Sequence, residues 1–61
     1  PQANPLAGLR PGHRVRHEAW GEGTVVAVEP VEDDVILVVA FPERGVKRLL
    51  ASVAPLAPVE G

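Results

Sequence analysis

Apolar positions along the chain come in short runs, and turn signals separate them at intervals of roughly ten residues, the spacing of a small all-β domain. His13-Arg14-Val15-Arg16-His17 places one apolar residue between two arginines, the alternation of a short, half-exposed strand. Thr24-Val25-Val26-Ala27-Val28-Glu29 is β-branched and apolar on both faces, which suits a second strand. Val35-Ile36-Leu37-Val38-Val39-Ala40-Phe41 carries the strongest strand signal. Periodicity alone would also allow a buried helix there, but length and β-branching choose strand. Val46-Lys47-Arg48-Leu49-Leu50 gives a fourth strand of mixed pattern, and Leu56-Ala57 a short fifth.

The segments between the strands carry turn chemistry. Pro11-Gly12 is a turn that opens the ordered part. Glu18-Ala19-Trp20-Gly21-Glu22-Gly23 is a loop closing on two glycines. Glu29 to Asp34 reads as a polar turn broken by Pro30, so the second and third strands form a hairpin. Pro42 to Gly45 is the next turn. Ala51 to Pro55 is short and ends on a proline, which fits a single 3₁₀ turn better than an α-helix. Residues 1–9 hold two prolines, a glycine and small side chains, the composition of a linker. The expected organisation is a linker over 1–10, a barrel over 11–58 and a tail over 59–61. A start at Pro1 with no methionine suggests a piece of a longer protein.

The expected fold is therefore all-β, a small five-stranded SH3-like barrel with a 3₁₀ turn before its last strand. An open sheet of this size would leave residues 35–41 as a sticky edge. Leu37, Val39 and Phe41 should point inward, with Val15, one of Val25 or Val26, Leu49 and Leu56. The opposite face of the third strand, Ile36, Val38 and Ala40, is too apolar for open water unless a loop covers it or a partner binds it.

Composition narrows the function. A length of 61 residues allows one domain. With no cysteine, disulfides and thiolate metal sites are excluded. The two histidines, His13 and His17, are too few for a structural zinc and read as surface imidazoles on a strand. No run approaches the roughly 18 apolar residues of a membrane span, and the start lacks the regions of a signal peptide. The chain is expected to be cytoplasmic, without a membrane partner. Its net charge of −2 argues against binding driven by phosphate. The charge is patterned, however. Arg10, Arg14 and Arg16 form a basic segment, Glu29, Glu32, Asp33 and Asp34 an acidic one, and Arg44, Lys47 and Arg48 a second basic one. This reads either as solvated strand faces or as a dipolar surface that orients a partner.

Candidate catalysis is thin. The one serine, Ser52, and the one threonine, Thr24, lie far in sequence from both histidines. Gly21-Glu22-Gly23-Thr24 lacks the lysine and the following helix of a phosphate loop, and Glu22 would repel phosphate. Trp20 and Phe41 are too few for a methyl-lysine cage or for base stacking on single strands. A protein-binding surface remains. Trp20, on a glycine-bordered loop, is either a core plug or an interface anchor. Lys47 shares the inward face of Leu49, which is unusual for lysine. Its amine reaches water at the open end of the barrel, its stem snorkels over the core, or it pairs with a carboxylate.

The string from Gly12 to Val26, with His17, two spacers, Trp20 and then Gly21-Glu22-Gly23-Thr24-Val25, resembles the start of the C-terminal Tudor-like domain of UvrD/PcrA-type bacterial DNA helicases. The string from Ala40 to Leu50 and the closing Ala54-Pro55-Leu56 continue the resemblance, which covers residues 11–57. His13 stands where the family often has an acid, and the 30–34 turn lacks the family's frequent glycines. The resemblance implies a non-catalytic tail of an ATP-dependent 3′–5′ helicase, with ATP and Mg held by the motor and no cofactor in the tail. It implies docking on RNA polymerase, and on other DNA-repair proteins with a helicase-interaction motif, for transcription-coupled repair. It also implies a monomer in the bacterial cytoplasm, near the nucleoid, with weak or no direct nucleic-acid binding. Lys47 falls in the family's Gly-x-Lys-x-Leu block, here Gly45 to Leu49, and is the first candidate contact. Trp20, Glu22 and Arg48 join it on exposure and charge. Two other readings stay open: a DNA-contacting barrel using Arg10, Arg14, Arg16 and Arg48, and the polymerase-binding barrel of a transcription regulator.

Overall fold

The computed structural model describes residues 8–59; most of the expected linker, residues 1–7, lies outside them. Five strands form: β1 (Arg14–His17), β2 (Gly21–Val31), β3 (Asp34–Phe41), β4 (Gly45–Leu50) and β5 (Leu56–Val59). They make one antiparallel sheet in the order β4-β3-β2-β1-β5, curled into a small SH3-like barrel.

The long β2 makes the curl possible. Its start pairs with β1, setting Val15 opposite Gly23 and Arg16 opposite Glu22. From Thr24 onward it pairs with β3. Between Val25 and Ala27 the register shifts, and such a bulge bends a strand and tightens its twist. The strand also runs further than its sequence suggests. Glu29, Pro30 and Val31 stay in the ladder, with Pro30 opposite Val35. β1 pairs with no residue of β2 beyond Thr24, so a missing N–H at Pro30 on that side breaks no ladder bond. The hairpin turn shrinks to Glu32-Asp33, with Asp33 in the left-handed region at φ 65°. A short polar side chain tolerates that conformation.

Two glycines have conformational work. The Arg10–His13 turn is closed by the His13 N–H donating to the Arg10 carbonyl at 3.1 Å, with Gly12 at φ 99° behind Pro11. Gly23 serves a close approach. A Cβ there would lie 2.7 Å from a ring carbon of Phe41 and 2.8 Å from Val39 Cγ1. Phe41 therefore packs directly on the β2 backbone.

Val15, Val25, Leu37, Val39 and Phe41 form the dry core, joined by Ala51 and Leu9. Each large apolar side chain buried this way contributes roughly 1.5–3 kcal/mol. Leu37, Val39 and Phe41 point inward as their alternation implied, and the choice between Val25 and Val26 falls on Val25. Leu49, Leu56 and Trp20 pack against the core from its rim. Leu9 joins the core upstream of residue 11, and β5 continues to Val59. Ile36, Val38 and Ala40 are half-buried on the barrel exterior. An Arg48–Glu29 ion pair of 2.8 Å bridges β4 to β2 across β3 on that side. Between β4 and β5 the Leu50 carbonyl accepts from the N–H groups of Val53 (3.2 Å) and Ala54 (2.9 Å), a single tight turn. Asp34 anchors it by accepting from the Ser52 hydroxyl and amide.

Candidate functional site

The loop after β1 and the turn before β4 meet at one end of the barrel. His17, the last residue of β1, points inward with Val15 because strand residues alternate faces. It is 7 % exposed, so it is not the surface imidazole that its polar neighbours suggest. The chain turns immediately after it, and the N–H groups of Ala19 (3.0 Å) and Trp20 (3.2 Å) both donate to His17 Nδ1. The Glu18 N–H donates to the Pro55 carbonyl, tying the loop to the start of β5. His13 is exposed, and its Nδ1 accepts from the Arg10 N–H.

Trp20 is half-buried and serves as rim plug and exposed platform at once. Its ring stacks on His17 with centroids 4.0 Å apart and planes 10° from parallel. Phe41 meets it edge-on at 5.3 Å and 73°. Lys47 stands opposite Val39 on the inward face of β4, and its ammonium lies 5.5 Å from the Trp20 ring centroid. That resolves the puzzle of an inward lysine: the stem runs along the rim and the charge rests over an aromatic face, a favourable cation–π placement. Among the described residues, the ion pairs are Arg14–Glu22, Arg16–Glu22 and Arg48–Glu29, and Lys47 belongs to none of them. A cleft of about 290 Å³ opens beside Trp20, lined by Ala19, Glu22, Pro42, Glu43 and Arg44.

The four residues expected from sequence do not share one spot. Trp20 and Lys47 are in contact. Glu22 borders the same cleft, but its carboxylate is engaged by Arg14 at 2.5 Å and Arg16 at 3.5 Å. The Arg14 hydrogen bond, then its charge, then Arg16, hold the Glu22 carboxyl below its usual range. Arg48 is on the exterior, paired with Glu29 and turned away from Lys47 as adjacent strand residues must be. The expected dipolar surface is thus partly neutralised, since basic and acidic segments pair across strands. Two contributors were missed. Arg44 enters the cleft from a turn whose sequence carried no sign of its neighbours. His17 had a signal in its spacing: a side chain with a lone pair, placed two and three residues before the amides of a loop, can head that loop as asparagine does.

The sequence model of the PcrA/UvrD tudor domain matches residues 12–58. The chain is 51% identical over 49 residues to the ATP-dependent DNA helicase PcrA of Leuconostoc citreum, covering 80% of this chain and 6% of that protein. It is 42% identical over 59 residues to DNA helicase II of Salmonella typhimurium, covering 97% of this chain and 8% of that protein. For PcrA of Bacillus subtilis the identity is 48% over 46 residues, covering 74% of this chain and 6% of that protein. The chain thus spans a small fraction of the length of each of these relatives.

Proposed function

The chain belongs to the PcrA/UvrD tudor domain family, and from that premise we propose that it is the protein-docking module of an ATP-dependent DNA helicase. In this reading it binds RNA polymerase and links the motor to transcription-coupled DNA repair. Other repair proteins bearing the same short motif use the same surface. ATP and Mg belong to the motor, and this domain takes no part in the chemistry. It acts as a monomer in the bacterial cytoplasm.

The observation that supports this best is the Lys47 ammonium over Trp20 with no carboxylate of the described residues paired to it. A cation on a flat aromatic at an open barrel end complements a protein segment that brings its own carboxylate. Trp and Arg are the side chains most enriched at interface hot spots, and Arg44 lies on the cleft beside Trp20. Direct nucleic-acid binding is weak or absent in this reading. Three of the arginines that would carry it, Arg14, Arg16 and Arg48, are already paired with carboxylates. The net charge of −2 adds no attraction for phosphate.

The test is titration of the chain and its Lys47→Ala variant with RNA polymerase, with duplex and single-stranded DNA as controls at two salt concentrations. The variant should lose about tenfold in polymerase affinity, the scale of a modest hot spot. Its own stability should change by no more than about 1 kcal/mol, the worth of an exposed cation–π contact. Equal affinity for both proteins would sink the docking reading. Tight DNA binding with a steep salt slope would replace it with the DNA-contacting one.

A further inference from the structure

We propose that His17 is the positioning residue of the docking surface, holding the Trp20 loop with its Nδ1 lone pair and the Trp20 indole with its ring. This rests on the reading of Trp20 and Lys47 as the contact surface, and it names the group that sets their geometry.

A histidine at 7 % exposure on the inward face of a strand needs its polar atoms matched. Here Nδ1 is matched twice, by the amides two and three residues ahead. That is the pattern of an asparagine or aspartate heading a turn, made by an imidazole. An acceptor at Nδ1 requires the ring hydrogen on Nε2. The same ring lies flat under Trp20 at 4.0 Å and meets Phe41 edge-on at 5.7 Å and 83°. Trp20 is therefore fixed through its backbone by a lone pair and through its indole by a stack. Lys47 reads the outcome, because its ammonium rests on the indole so placed. Neither half of the device serves the barrel ladder. The β1 pairings of His17 with Gly21 and Leu56 are made by backbone alone.

Two substitutions separate the halves. H17F keeps a ring of similar size and loses the lone pair. H17N keeps an acceptor near the Nδ1 position and loses the stack. The measurements are ¹⁵N spectra of the 61-residue chain, without partner, followed by titration with RNA polymerase. In the wild-type chain the His17 nitrogens should show the hydrogen on Nε2. H17F should move the Ala19 and Trp20 amide resonances, leave those of Leu37 and Val39 in place, and weaken polymerase binding about tenfold, the equivalent of one net hydrogen bond of loop order. H17N should keep the two amide resonances and move that of the Trp20 indole.

A hydrogen found on Nδ1, or H17F with wild-type Ala19 and Trp20 resonances, would overturn the proposal. If H17F does not fold, H17N decides: retained amide resonances support the role and lost ones refute it. Failure of the docking reading looks different, since Lys47→Ala would then leave polymerase binding unchanged while the partner-free spectra still report on His17.

Discussion

Gly23→Ala puts one methyl group where the barrel has no room. The added Cβ would sit 2.7 and 2.8 Å from two ring carbons of Phe41 and 2.8 Å from Val39 Cγ1. Both neighbours are fully packed, at 2 % and 0 % exposure, so neither can swing into solvent. Overpacking of this kind costs about 1–3 kcal/mol. The loss of glycine's unfolded-state freedom returns about 0.4–1 kcal/mol, because Gly23 does not lie in the positive-φ region. Because the clash falls on two immovable groups, the overpacking cost lies in the upper half of its range, and the net expectation is a loss of about 1–2 kcal/mol. A chain of this length has roughly 3–9 kcal/mol in total, so the melting temperature should fall by about 5–15 °C. The damage should reach the Trp20 end of the barrel, since Phe41 is the ring on which both His17 and Trp20 rest. Thermal unfolding of Gly23→Ala, Phe41→Leu and the double variant tests this. Shortening the ring removes part of the clash, so the double variant should be more stable than the two losses added together, by about 0.5 kcal/mol or more. A Gly23→Ala chain as stable as the wild type, or strictly additive losses, would refute the account of why glycine stands there.

Other consequences are open to measurement. Asp33→Val places a β-branched residue at φ 65° in the β2–β3 turn and should cost about 1–2 kcal/mol in urea unfolding, with the midpoint shifted and the slope unchanged. The Ser52 hydroxyl first, then the Val35 amide, then the Ser52 amide hold the Asp34 carboxyl below its usual value of 3.8. A carboxyl lowered on folding stabilises the native state above its unfolded pKa and ceases to do so as pH falls through the lowered value. Ser52→Ala should therefore be less stable than the wild type at pH 7, and melting curves of the two should converge as the pH drops well below 3.8.

Much of the barrel was legible because its signals are local. Alternation gave β1, β-branching gave β3, and Pro11-Gly12 gave the opening turn. The inward set Leu37, Val39 and Phe41 followed from alternation within a strand flanked by turns. What stayed hidden depends on neighbours distant in sequence. Pro30 reads as a strand breaker until β2 is seen to lack a partner on that side. Leu9 reads as linker until the core is seen to take it in. At the candidate site, Lys47 and Trp20 could be nominated one by one, but their contact joins β4 to the loop after β1 and has no local signature. Arg48 shows the converse. Its exposure and charge recommend it, and alternation already puts it on the face opposite Lys47, but the Glu29 carboxylate that holds it there comes from β2 and has no local signature. His17 reads as exposed beside its arginine neighbour, while the strand face it shares with Val15 decides its burial.

The docking account stands or falls on where a partner touches this chain. Resonances of the ¹⁵N-labelled domain, followed during titration with RNA polymerase, locate that contact residue by residue. The surface described here predicts shifts or line broadening centred on Ala19, Trp20, Arg44 and Lys47, with Glu29 and Arg48 little changed. Perturbations centred on Glu29, Arg48 and Ile36, or none across the whole titration, would contradict it.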